Sequence, residues 1–154
     1  MTLENPAKRH DFEGNGATTA FSYTNKINDQ EHLKVLHTSS SGVETELTIT
    51  TDYTVSGVGD ANGGSITFPA GGSSFSTLAS GEYLAILYNF PGEQTTDIPN
   101  TGRVFNESVE DALDYLTMLH IQQEEVSDRN LKYSEATNIS PNTCLLYTSD
   151  AADE

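Results

Sequence analysis

Apolar and polar residues alternate in short bursts up to Arg103, and glycine, asparagine or proline interrupts each burst. His10 to Glu13 reads as an extended segment closed by Gly14-Asn15-Gly16, a strong turn signal. Ala17 to Thr24 places Phe21 and Tyr23 on one face, and Asn28-Asp29 turns the chain again. Leu33 to Thr38 alternates with Leu33 and Val35 inward, Ser39 to Gly42 is a flexible tip, and Glu44 to Thr50 alternates Leu47 and Ile49 with polar neighbours. These two segments predict a hairpin. Asp52 to Val55 comes next, then an acidic, glycine-rich turn over Gly57 to Gly64, then Ser65 to Phe68 with Ile66 and Phe68 on one side. Pro69 to Ser74 is loop. Glu82 to Phe90, EYLAILYNF, is the most continuously apolar run and is expected at the centre of a sheet. Glu93 to Val104 is polar and irregular. About seven short strands at this spacing predict a mainly β head over residues 1–104, a small sandwich or partly closed barrel.

Residues 105–133 change period. Asn106 to Tyr133 contains neither glycine nor proline, so nothing in it breaks a helix. Asn106 can cap the first turn, and Glu107, Glu110 and Asp111 suit the positive end of the helix dipole. Val109, Ala112, Leu116, Leu119, Gln123, Val126, Asn130 and Tyr133 recur at steps of three and four. They form a heptad seam that is apolar at first and polar at Gln123 and Asn130, as in helices that set their register in an oligomer. Such a helix is roughly 40 Å long, more than the ~30 Å of a small domain. It is therefore expected to start on the head, run off its edge and continue as a coiled-coil stem. Ala112, Leu113, Tyr115 and Leu116 make a stripe wider than a seam, so the first half should pack partly on the sheet. From Gln123 onward little apolar surface is left to dock. Residues 134–143 read as a polar linker.

Charge and tail composition narrow the partners. CLLYTSDAADE, Cys144 to Glu154, resembles one reading frame of the transposon-end adaptor used in sequencing libraries, and residues 144–154 are set aside as non-native. On that reading the native protein continues past Thr143, and the single cysteine carries no redox meaning. The net charge is −16, and still −13 without the three acids of that tail. An acidic surface repels nucleic-acid phosphates and anionic lipid, and fits a basic protein surface instead. No run approaches the length of a membrane span, and the N-terminus has no secretory core. A soluble protein made in a cytoplasm is expected.

Candidate chemistry is sparse. His10, His32, His37 and His120 lack metal-ligand spacing; a zinc pair at His32 and His37 competes with the plainer reading of two strand-end histidines. Asp60-Ala61-Asn62-Gly63 opens like a calcium loop but lacks the spacing and the closing glutamate. No nucleophile-elbow or phosphate-loop spacing occurs. Glu124 and Glu125 point to different sides of a helix, as on a solvated face. No catalytic residue, cofactor or metal is assigned.

Read together, FEGNGATTAFSYT, LKVL, ELTITTDYTVSGVGDANGGSITF, QTTD and ALDYLTMLHIQQEEVSDR resemble the N-terminal domain of podovirus tail fibres and tailspikes. The likeness covers Asp11 to Lys132 and departs at Tyr88-Asn89-Phe90, where relatives often carry an arginine. It implies a virion structural protein of the phage tail, made in the bacterial host cytoplasm. The head would attach to a tail component with a basic surface, and the helix would begin a homotrimer. A distal part would meet the host surface glycan. The resemblance leaves open whether that part is a fibre or a capsule-degrading enzyme. A different class, a secreted carbohydrate-binding or adhesin module, would need an exposed aromatic platform; Tyr23, Tyr53 and Tyr83 instead suit core positions.

Overall fold

The computed structural model describes residues 6–93 and 106–130. In chain order it contains β1 (Arg9–Glu13), β2 (Ala20–Tyr23), a 3-10 turn (Gln30–His32), β3 (Leu33–Thr38), β4 (Glu44–Glu46), β5 (Thr54–Ser56), β6 (Gly64–Thr67), β7 (Tyr83–Tyr88) and α1 (Asn106–Asp128). The strands make two antiparallel sheets, β1-β7-β3-β4 and β2-β6-β5. Their inner faces share one core, in which Val35, Leu84 and Ile86 of the first sheet meet Phe21, Tyr23 and Ile66 of the second. No strand pairing joins the sheets among the described residues, so the head is a sandwich and not a barrel.

Strand phase follows the pleat. Leu33, Val35 and His37 pair with Tyr88, Ile86 and Leu84 and point inward. The apolar run of β7 lies between β1 and β3, as expected of the most apolar strand. Because that run is apolar almost throughout, its phase was not readable, and one expectation fails here. Tyr83 falls on the outer face, 49% exposed, while Tyr23 and Tyr53 are in the core.

Strand β4 is shorter than its pattern. Pairing of β4 stops at Glu46, although the Leu47 amide still donates to the Val35 carbonyl. The Asp52 carboxylate accepts the Thr48 amide at 2.8 Å, and Thr50 takes the left-handed region with φ 67°. This local side-chain bond competes with the ladder and turns the chain early. At the other end of the head, Gly14 is needed for close approach, since a Cβ there would lie 2.0 Å from the Ala79 carbonyl oxygen.

Helix α1 lies across the end of the sandwich where β1 and β3 begin and β7 ends. Met118 and Ile121 are buried, and Tyr115 and Leu119 pack against the same cluster. The loss of docking expected from Gln123 onward does not occur within the described residues. Gln122, Glu124, Glu125 and Asp128 all bond to the head, because polar and ionic contacts replace the missing apolar ones. The capping role of Asn106, the seam position Tyr133, the linker 134–143 and the tail 144–154 lie outside what the structure describes.

Candidate functional site

The helix presents two distinct faces, separated by roughly a third of a turn. On the docked face Asp111 lies 3.4 Å from Lys26 Nζ, and the Tyr115 hydroxyl donates to the Pro91 carbonyl at 2.5 Å. Gln122 accepts from the Phe90 amide at 2.7 Å and donates back to its carbonyl at 3.5 Å, mimicking a strand partner for the end of β7. The Phe90 ring stands perpendicular to Tyr115 at 5.5 Å and tilts on His32 at 4.7 Å.

Six charged residues close the far part of this joint. Lys8 reaches Asp128 at 2.7 Å and Glu124 at 3.3 Å, and those bonds raise its pKa, Asp128 first. Arg9 lies 3.3 Å from Glu125, and Arg129 bonds the other oxygen of the same carboxylate at 2.7 Å. The expectation of a solvated Glu124-Glu125 pair is corrected for Glu125, which is 6% exposed. The two side chains do point to different sides. The bond to Asp11, more than the one to Glu125, raises the Arg9 pKa.

The outward face carries most of the seam. Leu116, Gln123, Val126 and Asn130 are exposed, while Val109, Ala112 and Leu119 are half-buried. Leu113 and Leu116 are about equally open, at 58% and 60%. The wide stripe of the first half thus divides, with Tyr115 taken by the head, Ala112 half-buried, and Leu113 and Leu116 left outside. A surface with Leu113, Leu116 and Val126 exposed along one helix suits another helix.

The remaining candidates are not brought together. His32 and His37 sit at opposite ends of β3, one against Phe90 and Tyr115, the other between Phe68 and Phe75 and 3.5 Å from Glu82. Both were expected as partly exposed strand ends; His32 is half-buried, in keeping with that, but His37 is buried. Asp60 spends its carboxylate on the amide of Asn62, closing the turn. Among the described residues no group of three His, Cys, Asp or Glu is placed to hold a metal ion, and no helix is long and apolar enough to cross a membrane. Sequence reasoning missed Lys8, Arg9 and Lys26 as helix partners. The only available signal was a basic N-terminal segment in an otherwise acidic chain.

No family model matches the chain. The chain is 39% identical over 123 residues to the tail spike protein of Salmonella phage epsilon15, an alignment that covers 80% of this chain and 11% of that protein. It therefore spans a small part of that relative's length. This similarity supports a structural protein of a phage tail.

Proposed function

We propose that this chain is the tail-attachment part of a phage tail fibre or tailspike, in which the β head binds a tail component and α1 begins a homotrimer. The similarity to a tail spike protein over 80% of the chain carries the reading. The outward apolar stripe of α1, with Leu116 and Val126 exposed, supports the trimer. Three heads held on one stem act together, and linked sites raise avidity by roughly 10²–10⁴ without new contacts. The protein would be made in the host cytoplasm and reside in the virion tail. It would reach the host glycan through the rest of the longer protein, and would bind neither nucleic acid nor membrane.

Sedimentation equilibrium of the full-length protein tests this. Three times the chain mass is expected, and Leu116→Glu with Val126→Glu should return it to one chain without lowering the unfolding midpoint of the head. A single-chain mass at high concentration would sink the trimer.

A second reading, a capsule-degrading tailspike with its catalytic part elsewhere in the protein, is favoured by one observation. The relative is a tail spike of which this chain covers 11%. Release of reducing ends from host capsule by the full-length protein supports it, and intact capsule favours a plain fibre.

A further inference from the structure

The outer face of the four-stranded sheet is ordered in rows by its register. Arg9, Leu87 and Lys34 form the row beside the helix, and Asp11, Ala85, Leu36 and Glu46 the next. Glu13, Tyr83, Thr38 and Glu44 form the row at the remote end. Tyr83 is 49% exposed there, and Val43 at the neighbouring hairpin tip is 60% exposed. Strand spacing puts Glu13 and Glu44 about 14 Å apart with the tyrosine between them.

Charge is sorted along the same direction. Lys8, Arg9, Lys26, Lys34 and Arg129, the cations of the described residues, all lie toward the helix end, and each is ion-paired. Arg9 and Lys34 thereby occupy Asp11 and Glu46 of the middle row. Glu13 and Glu44 have no ion pair among the described residues. The remote row is therefore an exposed aromatic flanked by two carboxylates with no cation of their own.

We propose that this row docks a basic segment of a different protein. A guanidinium laid on the Tyr83 ring gains a cation–π contact and can pair with Glu13 or Glu44, with Val43 offering apolar contact to its neighbours. A second copy of this chain is the wrong occupant, because its own described cations are already ion-paired within the chain. The assignment rests on reading the head as an attachment module and names the surface that attaches.

The test is an amide-shift titration of the isotopically labelled full chain with a short peptide of alternating arginine and leucine. Shifts concentrated at Glu13, Thr38, Val43, Glu44 and Tyr83 are expected. Tyr83→Ser should weaken binding about two- to fivefold, while Tyr83→Phe keeps it. Glu13→Gln with Glu44→Gln should weaken it and reduce its salt dependence. These positions are exposed, so the variants should keep the parent unfolding midpoint, which the same samples report. Shifts spread equally over Asp29, Glu31 and Asp60, or affinity unchanged in the variants, overturn this surface alone. No binding even at low salt overturns the surface and the charge-based attachment together.

Discussion

Glu125 of α1 and Arg9 of β1, far apart in the chain, lie 3.3 Å from each other, with the glutamate side chain only 8% exposed. Arg129, one helical turn on, takes the second oxygen. The pair ties the last described turns of the helix to the first strand of the head.

Removing Arg9 should therefore loosen the helix. Arg9→Met leaves Glu125 with Arg129 alone and should cost about 1.5–3 kcal/mol, the worth of a hydrogen bond to a charged group. Arg9→Met with Glu125→Leu should recover most of that loss, because removing the buried carboxylate also removes the cost of desolvating it. A double-mutant cycle by urea unfolding measures the difference, and additive losses would refute the coupling.

The two faces of α1 predict opposite responses to truncation. Met118→Ala opens a cavity in the shared core and should cost about 2–4 kcal/mol at any protein concentration. Leu116→Ala should change the stability of a single chain by no more than about 0.5 kcal/mol. In a trimer its effect should appear as a concentration-dependent midpoint. Thermal unfolding at several concentrations separates them.

Acid should weaken the fold before any carboxylate is protonated. The Thr24 amide donates to His10 Nε2, which also meets the Tyr88 hydroxyl at 3.1 Å, so His10 must stay neutral with its proton on Nδ1. Burial lowers the pKa of His10 against the opposing charge of Asp11, and that of His32 against Asp29 and Glu31. The unfolded chain then binds protons at higher pH than the folded one. Stability is level above the ordinary imidazole pKa of ~6.5 and falls as pH drops through it toward the lowered folded values. At lower pH Glu82 adds to the loss. Its pKa is held down first by the Ala79 amide, so its contribution disappears as pH falls through the folded value. Urea midpoints between pH 8 and pH 5 check the sign, and His10→Gln and His32→Phe should each flatten the upper part of the curve.

Backbone sign decides two further substitutions. Thr50 is exposed and holds φ 67°, a region costly to a β-branched residue, so Thr50→Gly should stabilise by about 0.5–1 kcal/mol. Gly63 has φ 81°, and an added Cβ would lie 2.2 Å from the Tyr23 carbonyl oxygen. Gly63→Ala should therefore lose more than about 1 kcal/mol, and unfolding midpoints that ranked the pair the other way would contradict both.

Legibility followed the strength of local signals. Leu33 to Thr38 alternates cleanly, and its ends and the inward Leu33 and Val35 emerged as read, while His37 joined them in the interior. EYLAILYNF announced a central strand but hid its phase, since apolar residues occupy nearly every position; Tyr83 was misplaced for that reason. The helix was legible from its spacing. Its docked face was not, because many of its contacts to the head are hydrogen bonds and ion pairs that leave no apolar period. The lysine ahead of β1 and the arginine that opens it gave no hint of which acids they meet.

Local chemistry alone determined the strand-rich head, its turns, the terminal helix and the acidic character of the chain, for each depends on neighbours a few positions away. Only the tertiary structure decided that the helix lies across one end of the sandwich, that Glu125 is buried and that Leu116 and Tyr83 face outward. Those outcomes depend on which distant surfaces meet, and long-range packing and charge pairing are not written in any single period of the sequence.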